Sequence, residues 1–340
     1  MRRRLIGIVV ILLLSAGLSF WLISLATPST EAARLRNALL ADVGDSRDFD
    51  WRPGNAPESY KEETMHATAQ FKGIHQRLFS RFENKESEFP RIIRIAEHLL
   101  QVEKRKSVGI LADTSTAYRE IIRQGAGYCA DFTQVMNAMA RAENIPVREW
   151  GMAFDDFGGS GHAFSEIYDT QLNKWIFIDV FNSLYVLDKA NKQPLSVLEF
   201  RERLQNNQNA LEIVPIVKSR FGFKDPEQAL QYFERGKDQF YLWWGNNIYS
   251  YEDHPVVKLA APVSRHLEQL AAIAVGVHPK IRIIGTKENA NMVKDLFNLK
   301  MMLIAILASA IVLGYLLVMQ ILYLWRSRKK ITILRPASFS

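Results

Sequence analysis

Cysteine is the residue this chain has least of: Cys129 is the only one in 340 residues. An internal disulfide is therefore excluded, and the fold must rest on its core. A single thiol outside the reducing cytosol is a liability unless it is buried or does chemistry. Acidic residues are missing from both ends, since none precedes Glu31 and none follows Asp295. The net charge of +7 therefore comes from the tips, Arg2, Arg3 and Arg4 at one and Arg326, Arg328, Lys329, Lys330 and Arg335 at the other. Between residues 27 and 300, 35 basic residues face 36 acidic ones, so this stretch is nearly neutral and nucleic-acid binding loses its main electrostatic support. Metal-ligand spacing is also missing. His66, His75, His98, His254, His266 and His278 stand apart from any second ligand type, and Asp155, Asp156 and Glu166 lack a calcium-loop signature. Neither a metal nor another cofactor is expected.

What the chain has is apolar residues, 48% against 23% charged, enough to fill a core. Two uncharged runs stand out, Leu5 to Ala26 and Met301 to Trp325. A helix crosses a bilayer core with about 20 such residues. The first run is longer than the ~7–15 residues of a signal-peptide core and is followed by Pro28, which favours a retained anchor over a segment cleaved near Ser24-Leu25-Ala26. Basic flanks stay in the cytoplasm. Both termini are then expected inside and residues 27–300 outside, in a periplasm if the cell is Gram-negative. Ala305, Ala308, Ser309 and Gly314 give the second run small-residue positions that permit helix association into an oligomer.

Between the runs, a short helix is expected around Glu31–Leu40 and a loop at Asp48–Pro57. Tyr60–Phe82 is a further helix candidate. Pro90 opens a helix with Ile92, Ile93, Ile95, Ala96, Leu99 and Leu100 on one face, and Tyr118, Ile121 and Ile122 mark a second. Gly125-Ala126-Gly127 ends that helix, and Ala130–Glu143 forms the next, striped by Phe132, Val135, Met136 and Met139. The period then changes: Val147–Phe154, His162–Tyr168 and Trp175–Phe181 read as strands joined by the turns Asp155–Gly161 and Asp169–Lys174. Helices and then antiparallel strands indicate an α+β domain. Leu195–Gln205, Pro226–Gly236 and Val256–Ala274, broken near Pro262, look helical, and Ile281–Ile284 reads as a short strand. The aromatic run Phe240–Tyr251 suits buried packing or a membrane interface better than stacking on sugars.

The chemistry concentrates on three residues. Cys129 follows glycines and starts a helix, where partial positive charge favours the thiolate and backbone N–H groups can hold an oxyanion. His162 begins a strand 33 residues on, sharing a face with Phe164, Glu166 and Tyr168. Asp179 lies in the neighbouring strand among Ile176, Phe177, Ile178, Val180 and Phe181, where a carboxylate needs a partner. Singly, each has a plainer reading: a buried small residue, a histidine at a loop edge, a turn cap. Together they make a thiolate, its base and the residue that orients the base.

Gly127-Tyr128-Cys129-Ala130-Asp131-Phe132-Thr133, Asn144-Ile145-Pro146-Val147-Arg148, Gly161–Asp169 and Trp175–Asp179, in that order, resemble the transglutaminase-like superfamily over about residues 90–188. The resemblance implies a papain-like core, its cysteine helix packed on an antiparallel sheet that carries histidine and aspartate, with Cys129, His162 and Asp179 as the catalytic triad. Phe164 stands where members often have tryptophan, Val180 follows the aspartate where a proline is common, and no upstream side-chain oxyanion donor is recognisable. The expected order is a tip (1–4), a span (5–26), an N-terminal segment (27–89), the core (90–188), a mainly helical extension with the aromatic cluster (189–300), a second span (301–325) and a basic tail (326–340).

The expected function is acyl transfer to an amine or to water at an amide or peptide bond of an envelope peptide, protein or glycoconjugate. The alternatives are a non-catalytic module that binds or scaffolds peptide or polysaccharide, and a cell-wall peptidase of papain-like architecture.

Overall fold

The computed structural model describes residues 2–333 except 26, 28, 64–70, 72, 75–77, 79–85, 104 and 111. Most of the helix candidate Tyr60–Phe82 lies outside the described residues. The chain divides into two compact units, Met1–Leu39 with Lys294–Ser340, and Leu40–Val293.

In the first unit, helix α1 (Arg2–Leu25) and helix α2 (Ser29–Leu40) precede the body of the chain. The apolar stretch Ile6–Ser24, and another at Ala290–Arg326 in the helix Ala290–Ile333, are long and apolar enough to cross a membrane. Leu13, Phe20, Leu307 and Ile311 are among the large apolar side chains they leave exposed. A Cβ built on Gly7 would lie 3.9 Å from Gln320 Nε2, so the start of the first apolar helix lies beside the end of the last.

The second unit is a mixed α/β body on one eight-stranded sheet. Its strands are β1 (Ala41–Gly44), β2 (Val147–Ala153), β3 (Gly161–Asp169), β4 (Lys174–Asp179), β5 (Leu184–Asp188), β6 (Leu211–Pro215), β7 (Phe240–Trp244) and β8 (Lys280–Ile284). Their order in space is β1-β8-β7-β2-β3-β4-β5-β6. All pairs are antiparallel except β1 with β8, so the expected antiparallel sheet carries one parallel pair at an edge. The stretch read as a mainly helical extension, 189–300, supplies β6, β7 and β8, and its residues 189–293 belong to this unit.

Alternation along the strands fills two cores. One face packs Ile167, Ile176 and Ile178 against helices α3 (Glu88–Leu99), α4 (Thr114–Gln124) and α5 (Cys129–Ala142), whose stripe Phe132, Val135, Met136 and Met139 is buried as its spacing requires. The other face packs Trp150, Phe164 and Phe177 with Phe200 of α6 (Val197–Asn206), Phe233 of α7 (Pro226–Glu234) and Phe240 and Leu242 of β7. Each fully buried ring of this kind stabilises by roughly 2–3 kcal/mol. The aromatic run is therefore largely core. Val256–Ala274 is two short helices, Pro255–Ala260 and Arg265–Ala274, the second capped by Ser264, whose Oγ accepts the Leu267 N–H at 3.1 Å.

Candidate active site

Helix α4 ends because Gly125 adopts φ +63°, a left-handed cap that glycine takes without penalty. Gly127 has φ +134°, and the chain turns there directly into α5. Asp131 reaches back one turn, its Oδ2 accepting the Tyr128 N–H at 2.8 Å and the Ile110 N–H at 3.3 Å. This fixes the first turn and sets Cys129 as the first residue of the helix, half-buried.

Helix α5 lies on the Ala163 and Ser165 face of β3: Thr133 Oγ1 donates to the Ala163 carbonyl at 3.1 Å, and Ser165 Oγ donates to Asn137 Oδ1 at 2.6 Å. His162 stands at the start of that strand on the opposite face, and both its imidazole and the Ala163 N–H act on the thiol at the helix N-terminus. The register pairs Ser165 with Ile178, which places Asp179 diagonally from His162 on one face. His162 Nε2 and Asp179 Oδ2 are 2.7 Å apart, leaving Nδ1 for the thiol side.

The electrostatics follow from burial and pairing. Burial pushes the Cys129 thiol up, but the hydrogen bond and charge of His162 and the Ala163 N–H outweigh it, so its pKa lies below that of a free thiol despite the opposing charge of Asp179. Burial lowers the His162 pKa, yet the charge and hydrogen bond of Asp179, with the thiol, raise it to about 10. The pair therefore favours thiolate and imidazolium.

Three further residues line this region. Asn182 donates its backbone N–H to Asp179 Oδ1 at 3.0 Å and its side-chain N–H to Oδ2 at 2.8 Å, fixing the carboxylate. Its Nδ2 is also 3.2 Å from His162 Nε2, but with Nε2–H given to the carboxylate the amide proton is directed at Asp179. Tyr232 on α7 lies edge-on to His162, ring centroids 5.6 Å apart, and burial with the charges of Asp179 and Cys129 keeps its hydroxyl protonated. Arg105 Nη1 donates to the Phe181 carbonyl at 3.0 Å. Asn182 had a sequence signal, three residues beyond Asp179 at a strand end. Arg105 and Tyr232 sit in no motif and arrive only through packing. Glu166 is drawn away from Asp155 and Asp156: its Oε2 accepts from Arg148 Nε and Trp150 Nε1 inside the core.

No curated protein and no solved structure matches the chain. The family model of the transglutaminase-like superfamily matches residues 58–180, which take in Cys129, His162 and Asp179, and this part of the chain is a transglutaminase-like domain.

Proposed function

We propose that the protein is a membrane-anchored cysteine acyl-transfer enzyme with Cys129 as nucleophile, His162 as acid–base and Asp179 as the residue that orients His162. The observation that carries this is the imidazole of His162, held at 2.7 Å by a buried carboxylate, beside a thiol that begins a helix and whose pKa it lowers. The thiolate attacks the carbonyl carbon of a carboxamide or peptide bond, forming the S–C bond. The oxyanion is held by backbone N–H groups at the start of α5, Cys129 among them. His162 gives its proton to the leaving amine as the C–N bond breaks, leaving a thioester. It then takes a proton from the incoming amine or water, which releases the acyl group and restores the thiol. Placement of His162 and Asp179 on adjacent antiparallel strands supports a transglutaminase-like arrangement of the three residues. The aromatic run adds little to the non-catalytic binding module, since Phe240, Leu242 and Trp244 are core residues.

The basic tips and the two apolar helices support a two-pass arrangement with both termini cytoplasmic and the catalytic unit outside. The nearness of Gly7 to Gln320 fits both termini on one side. Substrates are then envelope peptides, proteins or glycoconjugates, with helix association through the second span open.

The test is the pH dependence of Cys129 alkylation in the full chain in detergent, wild type against His162→Ala. Rapid labelling well below the free-thiol pKa of ~8.5, slowed by the substitution, is expected. Labelling that needs alkaline pH and ignores His162 would overturn the reading.

A further inference from the structure

One side of the Cys129 site is basic. The Lys106 N–H donates to the Gly125 carbonyl at 2.8 Å and the Gly127 N–H donates to the Lys106 carbonyl at 3.1 Å, which ties the backbone beside Arg105 to the turn that presents the thiol. The Arg105 guanidinium carbon lies 4.1 Å from the centroid of the Phe181 ring, and that ring is 6.1 Å from the imidazole of His162. Arg105 spends Nη1 on the Phe181 carbonyl at 3.0 Å and Asn182 Oδ1 at 3.5 Å. Its Nε and Nη2 make no hydrogen bond, and it forms no ion pair, among the described residues. The charges of Cys129 and Asp179 both act on it, which places it within electrostatic reach of the reacting atoms.

A second arginine stands behind it. Arg220 is only 5% exposed, and its Nη1 donates to the Val102 carbonyl on the segment that leads to Arg105. Its Nη2 is buried without a hydrogen-bond partner, and no ion pair holds it among the described residues. The charge of Arg105 acts directly on it. Two guanidinium groups whose charges act on each other, one of them buried with an unmet donor, are costly alone and are relieved by an anion.

We propose that Arg105 and Arg220 form an anion subsite beside Cys129 that selects an acidic peptide as acyl donor, a carboxylate of the peptide lying against the free edge of Arg105. The planar edge of a guanidinium offers two parallel N–H groups to a carboxylate. The amide that a thiolate attacks makes the carrier a peptide. The subsite rests on Cys129 being the nucleophile.

Two reagents of nearly equal shape separate the charge from the thiol. Iodoacetamide and iodoacetate both form an S–C bond with Cys129 as the C–I bond breaks and iodide leaves, and only iodoacetate carries a carboxylate. In the full chain in detergent, Arg105→Gln is expected to lower the iodoacetate-to-iodoacetamide rate ratio about tenfold, the scale of one hydrogen bond to a charged group. Any change in thiolate fraction acts on both reagents alike and cancels in the ratio, and the ratio for Arg105→Lys should fall between. Arg105 is half-buried, so R105Q is the variant to rely on should Arg220→Gln not fold. An unchanged ratio with fast iodoacetamide labelling overturns the subsite alone, as does an equal fall for both reagents. Slow iodoacetamide labelling indifferent to His162→Ala overturns the nucleophile and the subsite together. Protection of the thiol by acetyl-Ala-Glu-Ala-amide, and not by its glutamine counterpart, supports the peptide assignment. Protection by glucuronate alone overturns it.

Discussion

The imidazole of His162 and the carboxylate of Asp179 meet at 2.7 Å with both side chains out of water. Burial alone would strip the imidazole of its proton, so the carboxylate is what keeps His162 charged, and charged His162 is the largest influence holding the thiol pKa down. Asp179→Asn removes that charge while keeping the shape. His162 then titrates lower and the thiol higher, so the alkylation profile moves to alkaline pH. A shift of one pH unit or more, about tenfold less labelling at pH 6, is expected in stopped-flow alkylation. An unchanged profile would mean the thiol is activated by the helix terminus alone.

The turn before the thiol should be equally sensitive. A Cβ on Gly127 would lie 3.1 Å from the Phe132 ring, at φ +134°. Phe132, on the buried stripe of α5, is out of water and cannot give way freely. Gly127→Ala is expected to cost roughly 1–3 kcal/mol in denaturant unfolding and to slow Cys129 labelling as the first helical turn shifts. Wild-type stability and labelling together would show that the turn does not depend on glycine.

A separate polar network lies on the face of the sheet opposite α5. Arg148 and Glu166 are both fully buried, with Nε to Oε2 at 2.6 Å. Glu166 also accepts from Trp150 Nε1 at 2.7 Å and the Val197 N–H at 2.7 Å, and the Arg148 guanidinium lies 4.1 Å over the Trp175 ring. Glu166→Gln leaves an uncompensated buried cation, with an expected loss of about 3–5 kcal/mol. The double replacement Arg148→Met with Glu166→Leu removes both charges and should recover much of it, measured as unfolding midpoints. A double variant as weak as the single would show that the network does more than neutralise itself.

The glycine turn, the cysteine helix and the strands bearing His162 and Asp179 were legible because each signal is local: glycine before a helix start, then period-two alternation. The edge pairing of β1 with β8 was not, since it joins Asp42 to Arg282 across 240 residues. Strands β5 and β6 have five residues each, and their sequences, LYVLD and LEIVP, are too short and too uniformly apolar to show a period of two. Phe240–Trp244 showed as an aromatic run, and only its pairing with β2 and β8 makes it a strand. Arg105 and Tyr232 come to the thiol from a loop and from α7, so no spacing in the chain announces them.

Glu149 on β2 gives the second unit a pH dependence near neutrality. The carboxyl is held by Asn137 Nδ2 at 3.4 Å, and Asn137 in turn accepts from Ser165. Burial raises its pKa to about 7, against the opposing charge of Arg141. The folded state thus prefers the protonated acid. Its contribution to stability is complete below about pH 4.5, where the unfolded chain also holds the proton, and is lost as pH rises through about 7. The loss is at most about 3 kcal/mol, the product of the shift and the energy of one pKa unit. Glu149→Gln should match wild type in acid and exceed it above pH 7, so that unfolding midpoints taken from pH 5 to 8.5 diverge. Parallel curves across that range would show that Glu149 is ionised in the folded protein throughout, with Arg141 rather than burial setting its state.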